Sequence, residues 1–133
     1  MIKELSLSYF RKVIDETMVF SEGLNLLRGP NESSKSTRIE AILFALYGSR
    51  VLRDSLAQCV TWGSPVSKLR VTLTVDFNGV TYSFKRGSSG AEVIKDGNVF
   101  VTGQAEVTAF SATLLGADAK TAGSLMLADQ SGL

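Results

Sequence analysis

Apolar and polar residues change their spacing several times along the chain, and each change marks an element. Leu5, Leu7 and Tyr9 alternate with Glu4, Ser6 and Ser8, the period of a half-buried strand. A second strand is predicted at residues 17–20, TMVF, before a turn at Ser21-Glu22-Gly23 releases the chain into the apolar run LNLLR. Beyond residue 38, Ile39, Ile42, Leu43 and Leu46 fall at i, i+3, i+4 and i+7, which predicts an amphipathic helix that Gly48 is placed to end. Residues 49–66 carry mixed signals, with a short helix at VLRDSLAQ and a turn at Gly63-Ser64-Pro65. Then the period drops to two. Leu69, Val71, Leu73, Val75 and Phe77 alternate with Arg70, Thr72, Thr74 and Asp76, and Asn78-Gly79 leads into VTYSFKR, the strongest short-range hairpin signal. A second hairpin is predicted in AEVIKDGNVFV, turned on Asp96-Gly97. From Gly103 the helical period returns, with Val107, Phe110 and Leu114 on one face and Gly116 as a stop, and a last apolar segment, SLMLADQSGL, ends the sequence. An apolar run at a terminus is expected of a piece of a longer chain.

Between LNLLR and RIEAILFALYG lies GPNESSKST, residues 29–37. The order strand, tight loop, helix is what a phosphate cradle needs: backbone N–H groups converging on one point, a helix N-terminus facing it, a cation, and a hydroxyl for magnesium. In that reading Lys35 reaches the β- and γ-phosphates and Ser36 ligates Mg²⁺. Thr37 and the N–H groups of Ser33, Ser34, Lys35 and Ser36 hold the α- and β-phosphates. The simpler alternative is a capped helix start, with Ser33 or Ser34 as N-cap and Lys35 merely exposed. The pattern Gly-x-x-x-x-Gly-Lys-[Ser/Thr] asks for glycine where Ser34 stands. If that position needs a left-handed conformation, serine costs about 1–2 kcal/mol there.

Composition narrows the chemistry. With 44% hydrophobic and 20% charged residues among 133, the chain is globular rather than disordered. A net charge of +1 gives no bulk attraction to nucleic acid or membrane. One cysteine and no histidine exclude a disulfide framework, a His-based triad and the usual Cys/His zinc sites within this sequence. Cys59, in SLAQCVTW, reads as a small buried hydrophobe. The N-terminus is not a signal peptide and no apolar run approaches a membrane span, so a soluble protein of the cytoplasm or nucleoid is expected.

The order IKELSLSYFRK, then FSEGLNLLRGPNESSKSTRIEAILFALYG, then a hairpin region resembles the N-terminal half of the ATPase head of SbcC-type double-strand-break-repair proteins, in the SMC-like branch of the ABC ATPases. The resemblance spans essentially the whole chain, and residues 1–48 carry most of its specificity. It implies an α/β fold, the N-terminal lobe of an ABC-type P-loop NTPase, with a mixed sheet, an antiparallel β-subdomain and flanking helices. The expected parts are residues 1–66 with the P-loop, 67–102 as the β-lobe, and 103–133 as helices leading to a Gln-containing loop. By the same resemblance Gly29 and Asn31 belong to the nucleotide loop, Asn31 near the γ-phosphate. Arg11 and Lys12 occupy the place where the family brings a basic or polar residue to the nucleotide, and Gln130 matches the glutamine that contacts Mg²⁺ and the attacking water. Lys35 and Gln130 are the implied catalytic groups, ATP and Mg²⁺ the implied cofactors.

Departures from the family lie at Ser34, where it carries glycine, and at Glu32, where it often carries a small residue. The acidic water-activating motif, the signature motif and the coiled coil belong to a C-terminal half that this sequence lacks. The implied partners are that half, a second head, DNA and a nuclease subunit. Two other readings stand beside this one: a degenerate, non-catalytic nucleotide-binding or interaction module, and a RecF-like or OLD-like head. The strands at 69–86 read as core and lobe structure, with Lys85 and Arg86 as candidates to face DNA.

Overall fold

The computed structural model describes residues 2–11, 13–19, 32–49, 59–61, 63–77 and 79–115. Strands β1 (Ile2–Phe10) and β2 (Val13–Val19) precede helix α1 (Glu32–Tyr47). A single 3-10 turn at Val66–Lys68 leads into β3 (Arg70–Phe77), β4 (Val80–Gly87), β5 (Ala91–Lys95) and β6 (Asn98–Thr102), and helix α2 (Gln104–Leu115) follows. The expected strand at LNLLR, the short helix at VLRDSLAQ, the stop at Gly116 and the last apolar segment lie outside the described residues.

The six strands form one sheet in the order β2-β1-β3-β4-β5-β6, and every described pairing is antiparallel. Alternation fixes which face is buried. Register sets Leu5 beside Leu73, Leu73 beside Phe84 and Phe84 beside Val93, so a row of fully buried side chains crosses four strands. The opposite face is polar, with Ser6 bonded to Thr17 at 3.0 Å and Thr74 to Ser83 at 3.3 Å between their hydroxyls. Both predicted hairpins form. Phe77 pairs with Val80 and Lys95 with Asn98, and Asp96 (φ 46°) and Gly97 (φ 87°) adopt the left-handed conformations such a turn requires.

Helix α1 lies across the buried face against β1, β3 and β4, with α2 beside it. The predicted stripe of Ile39, Ile42 and Leu46 is buried, but so are Ala41, Phe44, Ala45 and Tyr47. The apolar surface is therefore wider than one stripe, because sheet and α2 enclose the second half of the helix from two sides. On α2, Val107 is fully buried and Phe110 packs its ring against Tyr82, Phe84 and Phe100 at 5.5–6.1 Å between centroids. Cys59 is buried, as its apolar neighbours predicted. Among the described residues no helix is long and apolar enough to cross a membrane.

Candidate phosphate-binding site

Helix α1 begins at Glu32, inside the loop motif, so Ser33, Ser34, Lys35, Ser36 and Thr37 occupy its first turn and a half. The N–H groups of a helix's first turn have no intrahelical acceptor, and the aligned peptide dipoles leave that end with partial positive charge. The backbone here is thus of the kind that receives an anion. Ser33 and Ser34 lie within the helix rather than before it. The conditional cost raised for Ser34 does not arise, because the residue is right-handed and helical, a conformation in which serine is more stable than glycine. Gly29, Asn31, Lys12 and Gln130 lie outside the described residues.

Arg11 is brought onto this helix. Its Nε–H donates to Glu40 Oε1 at 2.6 Å and Nη2 donates to Oε2 at 2.8 Å, a bidentate fork between side chains only 25% and 14% exposed. The backbone beneath the pair is firmly held. Phe10, fully buried, packs on Phe44, one helical turn beyond Glu40, with 6.2 Å between ring centroids. Phe10 also bridges to Val60, the Thr61 N–H donates to the Tyr9 carbonyl at 3.0 Å, and the Arg11 N–H donates to the Cys59 carbonyl. Tyr9 and Arg11, on either side of Phe10, both have φ 53°. Arg11 opens the short connection between β1 and β2, beside the Phe10–Val13 pair. Sequence reasoning began β2 at residue 17 because Arg-Lys carries no turn signal.

Arg86 sits at the other end of α1, and it corrects an expectation. Lys85 is exposed, whereas Arg86 is 3% exposed and cannot face DNA. Successive strand residues point to opposite faces, and Arg86 shares the buried face with Tyr82 and Phe84. Its Nε donates to the Ala45 carbonyl at 3.1 Å and Nη2 to the Leu46 carbonyl at 3.2 Å and Thr108 Oγ1 at 3.3 Å. Nη1 donates to Gln104 Oε1 at 2.7 Å and to its carbonyl at 3.3 Å. Burial pulls the guanidinium pKa down to about 10, still far above neutral, so a cation rests on the negative end of α1. The same i, i+2 alternation that marks Tyr82 and Phe84 as core would have found it.

The residues that match a known family model run from 4 to 121, through both strands before the loop, the loop itself, the β-lobe and α2, and the model is described as an AAA domain. The chain belongs to the AAA domain family. Among curated relatives, this AAA domain is 34% identical over 111 residues to the DNA double-strand break repair Rad50 ATPase of Archaeoglobus fulgidus, covering 81% of the chain and 12% of the relative. It is 32% identical over 94 residues to the DNA replication and repair protein RecF of Magnetococcus marinus, covering 71% of the chain and 24% of the relative. A solved structure of the recombination mediator protein RecF with ATP superposes with a TM-score of 0.51 at 25% identity, covering 75% of the chain and 28% of that protein. The AAA domain therefore has the fold of the N-terminal lobe of an ABC-type P-loop head, and the resemblance to SbcC-type ATPases is borne out. It spans between about an eighth and a quarter of the length of the curated relatives it matches.

Proposed function

We propose that this chain supplies the ATP-binding part of an SMC-like DNA-repair ATPase head. The observation that carries the reading is the start of α1 inside GPNESSKST, with Arg11 clamped onto the same helix one turn beyond the motif's lysine and serine. A nucleotide phosphate chain fits this arrangement: first-turn N–H groups face an anion, and the motif adds one lysine and adjacent hydroxyl residues. With α1 starting at Glu32, the N–H groups of Lys35 and Ser36 are taken up by the helix itself, so in this reading the free first-turn N–H groups, those of Ser33 and Ser34 among them, hold the α- and β-phosphates, the Lys35 side chain meets the β- and γ-phosphates, and Gly29 and Asn31 shape the loop around them. Ser36 and Gln130 are assigned to Mg²⁺, Gln130 also to the attacking water, and Arg11 and Lys12 to the nucleotide. Bound Mg-ATP supplies the γ-phosphoryl group for in-line attack by water.

Turnover is assigned to the complete head, with a C-terminal half and a second head completing the site, and with DNA and a nuclease subunit as partners of the whole in the cytoplasm or nucleoid. Calorimetry with Mg-ATP tests the binding step. Saturable heat in the wild type, lost in Lys35→Ala, is the expected result; equal binding by Lys35→Ala would overturn the assignment. Absence of heat in the wild type, restored by Ser34→Gly, would favour a degenerate, non-catalytic loop. The RecF-like branch is favoured by the RecF relative and the RecF fold. A long heptad coiled coil in the full-length protein would select the SbcC type, and its absence the RecF type.

A further inference from the structure

The β1–β2 turn is an expensive place for an arginine. Two-residue hairpin turns favour Asn-Gly because their residues take positive φ, and a side chain in the left-handed region costs about 1–2 kcal/mol. Here the chain has Arg-Lys, with Arg11 at φ 53°, and Tyr9 two residues earlier is held at the same angle. Residues kept in such conformations persist where their surroundings over-determine them, and they concentrate at functional sites. The surroundings at this corner are unusually complete: Phe10 on Phe44, Phe10 bridged to Val60, Arg11 and Tyr9 bonded through their backbones to residues 59 and 61. What the corner gains is a guanidinium fixed in direction on α1.

The fork that fixes it is Glu40. Glu40 follows Ser36 by one helical turn, about 6 Å along the axis. A carboxylate that close to a phosphate site repels the ligand unless it is neutralised, and one neutralised by a bidentate fork also fixes the plane of the guanidinium. We propose that Glu40 is the positioning residue for Arg11, holding its guanidinium on α1 one helical turn beyond Ser36 so that the site receives a nucleoside triphosphate without ordering a mobile arginine at each binding event. This inference rests on the nucleotide-binding reading above, with Arg11 as a nucleotide contact.

A double-substitution cycle in the full-length protein, read by Mg-ATP titration, tests it. Arg11→Asn keeps a residue that tolerates positive φ and removes the guanidinium; it is expected to weaken Mg-ATP binding about tenfold, the effect of one charge-assisted hydrogen bond. Glu40→Gln is expected to weaken binding severalfold, and Arg11→Asn with Glu40→Gln to bind no more weakly than Arg11→Asn alone. Additive losses, or unchanged affinity in Glu40→Gln, would overturn the positioning role. Tighter binding in Glu40→Gln, with rescue of Arg11→Asn, would overturn it in favour of simple charge neutralisation. A purely structural role is separated by Val93→Ala, which destabilises a distant part of the core. If Val93→Ala loses affinity as Glu40→Gln does at a matched fall in melting temperature, Glu40 only stabilises the fold. Should Glu40→Gln fail to fold, Glu40→Asp retains the charge but shortens the reach, and wild-type affinity in that variant counts against the proposal. Lys35→Ala distinguishes the two levels: if it binds Mg-ATP like the wild type, the nucleotide reading fails; if it does not, and Glu40→Gln is neutral, only the positioning role fails.

Discussion

Arg86 and Ser34 show how far one side chain's environment can depart from what its type suggests. An arginine beside a lysine near a strand end looks like a solvated corner, yet Arg86 distributes its donors over Ala45, Leu46, Gln104 and Thr108. Removing it strands buried carbonyls, so Arg86→Met is expected to cost about 3 kcal/mol or more, measured by urea unfolding. Arg86→Lys restores the charge but not the planar fork and should recover only part of that loss. The pH dependence follows from the sign of the shift. The folded pKa, about 10, lies below that of the unfolded chain, so the unfolded chain binds more protons only above about pH 10, and stability gains from this group only there. Across the neutral range the difference between wild type and Arg86→Met should therefore be flat. Ser34 makes the opposite case. Because it is helical, Ser34→Gly should lower stability by about 0.5 kcal/mol in the same assay, whatever it does to ligand affinity.

Among the elements, those set by periodicity were legible and those set by tertiary contact were not. Strict alternation in β3 and the Asn78-Gly79 and Asp96-Gly97 turns located two hairpins without help from the rest of the fold. The start of β2 was missed because its turn owes its shape to the Phe10–Phe44 and Arg11–Glu40 contacts, which join residues about 30 apart in sequence and leave no local mark. For the same reason the loop motif itself could be read from GPNESSKST, while Glu40, an ordinary helical glutamate by its neighbours, could not. Gly48 combines both kinds of information. It has φ 91° where α1 ends, and a Cβ there would stand 3.0 Å from Arg86 Nη1. At Gly97, also left-handed, a Cβ would meet nothing within 4 Å. Gly97→Ala should cost about 1 kcal/mol from backbone strain alone. Gly48→Ala should cost more, by thermal denaturation, because it also displaces the guanidinium.

For the molecule as a whole, the open sheet matters. Among the described strands β2 and β6 are the outermost, and they carry Ile14 and Val19, and Val99 and Phe100, all more than half exposed. Outer strands with exposed apolar side chains invite pairing with another chain. The 133-residue protein is accordingly expected to associate with rising concentration in sedimentation experiments, and Val99→Lys should reduce that association while leaving the melting temperature nearly unchanged. Inside the sheet the danger is a different one, mispairing of neighbours by a single step. Were β4 to slide by one residue against β3, Arg86 would swing to the polar face and Lys85 would enter the row now formed by Leu7, Val71, Arg86 and Ala91. An ammonium there has neither the fork nor the reach to satisfy the end of α1. The buried arginine thus works as a proofreader of strand alignment: its solvation cost is bearable in one arrangement of the sheet, and the shifted one has nothing to offset the cost of burying a lysine.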